Sequence, residues 1–140
     1  MGTRFVNKNN NPKNRKTSDC TIRAFMEITD SSIEQIIQEL TTIYLKTGWF
    51  INDPKCYEKW LNAKGYLKHK QLKHYNNKKY TASEFCDYLT HCTHLKTPVL
   101  AHVGGHHISV FVYTEENGYV IQDIWNCSNK CVGNYWIKSK

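Results

Sequence analysis

The chain offers a cysteine where a helix begins, a histidine pair where a strand begins and an aspartate where the following strand ends. Cys20 lies in Thr17-Ser18-Asp19-Cys20-Thr21-Ile22-Arg23-Ala24-Phe25, at the point where a polar, irregular leader turns into an apolar-patterned helix. Unpaired backbone N–H groups and the positive end of the helix dipole favour an anion there, so the thiol pKa falls and the reactive thiolate is populated near neutral pH. Gly104-Gly105-His106-His107-Ile108-Ser109-Val110-Phe111 opens a strand on two histidines, and Tyr119-Val120-Ile121-Gln122-Asp123 closes the next on an acid. Thiol, imidazole and carboxylate in that order form a candidate Cys-His-Asp site for nucleophilic acyl chemistry. Successive strand residues face opposite ways, so one histidine of the pair can meet Cys20. His107 directly precedes the alternating strand and is the expected base, with His106 as the alternative.

The elements that must position these groups follow from periodicity and caps. A helix is expected over Cys20 to Ile28, with Ile22, Phe25 and Met26 inward. Ser32 with Gln35 three residues on reads as a capping box for a second helix, which turns Ile33, Ile36, Ile37, Leu40 and Ile43 to one side and stops near Gly48. Asp53-Pro54 is an N-cap followed by a first-turn proline, opening a short helix that ends at Gly65 before a strand over Tyr66 to His69. Thr81-Ala82-Ser83-Glu84 opens another helix through Phe85, Tyr88 and Leu89. Strands then follow at Pro98 to Val103, His107 to Tyr113, Tyr119 to Ile124 and Val132 to Lys138, with Asn117-Gly118 marking a hairpin turn. Helices first and an antiparallel sheet last is an α+β layout, with residues 1–19 as an extended leader to one domain spanning 1–140.

At 140 residues and 13% aromatic content, the chain can bury a real core without staples. A formal charge of +7 raises an acidic partner or nucleic acid. No nucleic-acid motif accompanies the charge, so a nucleic-acid-binding module ranks behind the other readings. Met1 to Lys16 is polar and basic without an apolar run, so neither a secretion signal nor a membrane span is expected, and the expected compartment is reducing cytoplasm. Cys20, Cys56, Cys86, Cys92, Cys127 and Cys131 therefore read as free thiols, mostly buried, one of them reactive. Cys127-x3-Cys131 and the His91-Cys92-Thr93-His94 cluster are the places where a metal would be sought; neither has tight CxxC pairs, and no metal or other cofactor is expected.

Two blocks, residues 14–28 and 97–125, resemble the papain-like cysteine peptidase superfamily, most closely its C39-type peptidases. Asp19-Cys20 matches the family's acid and nucleophile. The oxyanion-donating Gln six residues upstream of the nucleophile is Asn14 here, and the Gly that commonly follows it is Thr21. Thr97-Pro98-Val99-Leu100-Ala101-His102-Val103 and Gly105-His106-His107-Ile108-Ser109-Val110 are similar to the family's strand, glycine turn and catalytic histidine. The family's acid corresponds to Asp123, sixteen residues after His107. Trp125 holds the place of a tryptophan that shields the histidine–carboxylate bond from water. Small phage and bacterial proteins of this type are similar in Asp123-Ile124-Trp125-Asn126 and Gly133-Asn134-Tyr135-Trp136.

The resemblance implies a papain-like fold and an acyl-transfer activity on peptide or amide bonds, with Cys20, His107, Asp123 and Asn14 in the catalytic roles. Peptidase, transferase and deamidase outcomes all remain open to these residues. The alternative from another class is a non-enzymatic, phage-type binding or inhibitor protein built on the same fold.

Overall fold

The computed structural model describes residues 4–15, 19–105 and 107–139. In chain order they form β1 (Phe5–Asn7), α1 (Cys20–Ile28), α2 (Ile33–Thr47), α3 (Pro54–Ala63), β2 (Tyr66–His69), α4 (Ala82–Cys92), β3 (Val99–Val103), β4 (His107–Thr114), β5 (Gly118–Asp123) and β6 (Val132–Lys138). The fold is mixed α+β: four helices and one six-stranded sheet in the order β1-β5-β4-β3-β6-β2. Among the described residues no helix is long and apolar enough to cross a membrane.

Local signals place the helix ends. Ser32 accepts from the Gln35 N–H at 3.2 Å, and α2 stops at Gly48, whose φ of 80° is open to a residue without Cβ. The reciprocal half of the expected capping box is replaced by a bond from Gln35 Nε2 to Glu39. Asp53 caps α3 by accepting from the Lys55 N–H at 2.8 Å, with Pro54 in the first turn. Thr81 and Glu84 close a full capping box on α4, with bonds in both directions.

Alternation along the strands builds two cores. Leu100, Ile108, Val110 and Trp136 face α1, α2 and α3, where Phe25 stacks on Trp60 at a centroid distance of 4.0 Å. Val99, Ala101, Phe111, Tyr119 and Ile121 face the opposite way and bury Phe85 and Leu89 of α4. The helices therefore cover both sides of the sheet instead of packing together on one.

Three expectations are corrected. The leader joins the sheet: Phe5–Asn7 pairs in parallel with β5, Phe5 opposite Ile121, so the sheet is mixed at that edge and not wholly antiparallel. Phe5 also packs into the α4-side core, a burial that draws β1 onto the sheet. β2, from the helical half, joins the opposite edge through antiparallel pairing with β6. Ile37 is 39% exposed, because the core-facing side of α2 is narrower than its run of isoleucines and buries Ile36 and Leu40.

Candidate active site

β4 and β5 set the positions of the histidine and the acid. Their antiparallel register, with Val110 opposite Gln122, puts Ser109 opposite Asp123 where β5 ends. His107 and Ser109, two residues apart on β4, share a side of the strand and both reach the Asp123 carboxylate. His107 Nε2 and Ser109 Oγ donate to Asp123 Oδ2, the latter at 2.6 Å. Arg23 Nη1 donates to Oδ1 at 3.2 Å and the Ile124 N–H at 2.7 Å. Asp123 is 2% exposed, and four donors surround it. Burial pushes its carboxyl pKa up, but the bonds from His107 and Ser109 and the His107 charge more than offset this and hold it below the ordinary carboxylate value.

With Nε2 committed to Asp123, Nδ1 is the nitrogen of His107 available to Cys20, which lines the same cleft and is near enough for the ring to lower its pKa. Burial raises the Cys20 pKa, while the bonds from His107 and the Ile108 backbone N–H, with the charges of His107 and Arg23, lower it to a net value below that of an ordinary thiol. Burial likewise opposes the charged form of His107, yet Asp123 and Cys20 raise its pKa from 6.5 to about 9. Both shifts favour the thiolate–imidazolium pair. Burial dominates at the other inward cysteines: it pushes Cys56 up, Cys86 up to about 12 and Cys127 up to about 11, the last against a hydrogen bond with Ser109 that lowers it.

Asp19 is the N-cap residue of α1, but its carboxylate makes no cap bond to the first turn. It accepts instead from Arg23 Nε at 2.7 Å and from Asn11 Nδ2 at 2.8 Å. Thus no side-chain cap competes for the N–H groups at Cys20, and the leader is tied to the helix start. Arg23, only 7% exposed, spans Asp19 and Asp123 and neutralises the inner carboxylate. Arg23 and Ser109 were not among the expected site residues. Their signals were the i, i+4 spacing of Asp19 and Arg23, and the two-residue step from His107 to Ser109.

Cys20 and His107 open onto a cleft of about 650 Å³, lined also by Phe50, Asn52, Tyr57 and Trp125. Trp125 lies against His107, ring centroids 5.2 Å apart, and is itself 39% exposed, so it covers one side of the imidazole. Tyr57 Oη and His102 Nε2 are hydrogen-bonded to each other within the same cleft. Asn14 is not brought to it. This residue is exposed, has φ 55°, and its N–H closes a turn onto the Asn11 carbonyl at 2.8 Å. An asparagine tolerates that left-handed turn conformation better than most residues, which gives Asn14 a local structural role. His106 lies outside the described residues.

All six cysteines are free: Cys56, Cys86 and Cys127 are buried, Cys20 is half-buried, and Cys92 and Cys131 are exposed. Tyr135 and Trp136 pack in the two cores. Among the described residues no cluster of three or more His, Cys, Asp or Glu side chains could hold a metal ion. Comparison of the chain with protein-family models, curated proteins and solved structures returns no match.

Proposed function

We propose that the protein is a cysteine-dependent hydrolase or acyl transferase acting on peptide or amide bonds, with Cys20 as nucleophile, His107 as base and Asp123 as the group that orients His107. The observation that carries this reading is that His107, bonded to Asp123, lines one cleft with Cys20, and that the pKa shifts of the three groups all run towards a thiolate–imidazolium pair. A papain-like fold is part of the proposal, supported by α1 and its cysteine lying against the sheet that holds the histidine and the acid.

His107 takes the Cys20 proton on Nδ1 while Asp123 holds the Nε2 proton. The thiolate attacks a carbonyl carbon, and the charge that develops on oxygen is met by the Cys20 N–H at the uncapped start of α1. The imidazolium then protonates the leaving amine as the C–N bond breaks, leaving a thioester on Cys20. Water or a second amine resolves the thioester, giving hydrolysis or transfer; a glutamine side chain would be deamidated by the same steps. A peptide or protein is the expected substrate, and none of these steps calls on a cofactor.

The test uses p-nitrophenyl acetate as an acyl donor. The proposal expects a burst of p-nitrophenolate equal to the protein concentration and an acetyl group on Cys20, located by mass spectrometry, with both lost in His107→Ala. Slow acetylation spread over the exposed cysteines would instead favour a non-enzymatic binding protein.

A further inference from the structure

The formal charge of this protein is concentrated in one segment. Residues 54–80, from the start of α3 to the residue before the Thr81 cap, hold eight lysines and a single acid, Glu58, for a net of +7. That equals the charge of the whole chain, and the other residues balance at eleven bases and eleven acids. The core-facing side of α3 carries Cys56, Tyr57, Trp60 and Leu61, so its lysines are turned outward.

There they border two grooves that meet at Lys68. One, of about 460 Å³, is lined by Lys55, Lys59, Lys68 and the half-exposed Trp49. The other, of about 620 Å³, is lined by Lys68, Lys70, Lys73, Gln71 and Asn134. Lys68 is paired with Glu58 at 3.2 Å, and Lys55 lies over the Trp49 ring at 4.0 Å. Among the described residues, Lys59, Lys70 and Lys73 have no carboxylate partner.

The first groove adjoins the catalytic cleft across a single segment of chain. Phe50, Asn52, Asp53 and Pro54 line the cleft, while Trp49 and Lys55 at the ends of that stretch line the groove. A chain entering the cleft therefore has uncompensated positive charge and an aromatic face beside it.

We infer that this basic face docks an acidic segment of the polypeptide whose acyl group enters the cleft. The inference rests on the acyl-transfer reading, because that chemistry makes the occupant a polypeptide rather than another polyanion. Exposed rim charges of this kind act mainly by steering and register, and their effect weakens with salt.

The test compares two peptide chloromethyl ketones, one with an oligo-glutamate tail and one with a Gly-Ser tail, in their rates of Cys20 alkylation. The wild type and the Lys59→Glu/Lys70→Glu/Lys73→Glu variant are both assayed, and circular dichroism confirms the fold of the variant. The acidic tail is expected to react about tenfold faster at low salt, with the advantage lost at high salt and in the variant. Equal rates for the two tails in a wild type whose Cys20 reacts readily would overturn the inference and leave the lysines as guards of the exposed β2 edge. So would a single-stranded oligonucleotide that binds through these lysines more tightly than the oligo-glutamate peptide. Failure of the acyl-transfer reading is scored separately on the wild type: iodoacetamide would then alkylate Cys20 no faster than Cys92 or Cys131, whereas fluorescence anisotropy of labelled oligo-glutamate still reports on the grooves.

Discussion

Asp123→Asn separates an orienting acid from one that merely ends a strand. All four contacts to Asp123 are donors: His107 Nε2 and Ser109 Oγ on one oxygen, Arg23 Nη1 and the Ile124 N–H on the other. The carboxamide keeps one acceptor and gains an N–H₂. Arg23 and the Ile124 N–H cannot become acceptors, whereas the Ser109 hydroxyl and the His107 ring can. The amide nitrogen therefore turns towards His107 and Ser109, and His107 must accept at Nε2 and carry its proton on Nδ1. That is the nitrogen needed for the Cys20 proton.

Losing the ionised acceptor in a buried network, partly relieved by those two switches, should cost about 3 kcal/mol. For a domain of this size that lowers Tm by about 10 °C. Without its base, Cys20 returns towards an ordinary thiol, so iodoacetamide alkylation at about pH 6.5 should slow at least tenfold. Acyl turnover, with the wrong tautomer, should fall by about 10⁴. Alkylation against pH, followed well below the variant's Tm, is the assay. A profile superimposable on that of the wild type would refute the orienting role.

Three further outcomes follow from the same structure. Between pH 6.5 and about 9, folded His107 holds a proton that the unfolded chain has released, so its contribution falls as pH rises, while the lowered Cys20 pKa gives an opposite contribution that grows with pH. Cys20→Ala removes the second contribution and the share of the His107 rise that Cys20 supplies, leaving the share held by Asp123, so the stability of the wild type minus that of Cys20→Ala, from denaturant titrations, should rise with pH across this window; a flat difference while the variant's own stability falls would show that the Cys20 thiol does not ionise. Gly118→Ala places a Cβ 2.5 Å from Thr90 Cγ2 at a φ of 69°, and Thr90 is held by bonds to the Cys86 carbonyl and the Tyr119 N–H; a loss of about 3 kcal/mol is expected on thermal unfolding, and under about 1 kcal/mol would contradict this packing. Asn14→Ala should lower stability by about 1 kcal/mol because of the left-handed φ, with Asn14→Gly restoring it; a fall in kcat common to both would return Asn14 to the oxyanion role.

Legibility in the sequence followed the range of the forces involved. Caps act within one helical turn, so Ser32, Asp53-Pro54 and Thr81 with Glu84 marked α2, α3 and α4 directly, and Asn117-Gly118 marked the β4–β5 hairpin. Cys20, His107 and Asp123 were readable because each sits at an element end that could be placed. What escaped depends on register between distant segments. The pairing of Phe5 with Ile121 needs the β5 edge to be open, a property of the assembled sheet. The meeting of Tyr57 with His102, 45 residues apart, has no local signature. Asn14 was matched by its offset from Cys20, which says nothing of the turn onto Asn11 in which it sits, outside the residues that line the cleft.

The most direct measurement is the ultraviolet thiolate absorbance of Cys20, taken as the difference between wild type and Cys20→Ser across the pH range. The pairing with His107 predicts a thiolate signal that titrates below the ordinary thiol value of about 8.5 and is displaced upward in His107→Ala. A signal that appears only near the ordinary value, and is unchanged by His107→Ala, would contradict the thiolate–imidazolium pair on which the proposed acyl transfer depends.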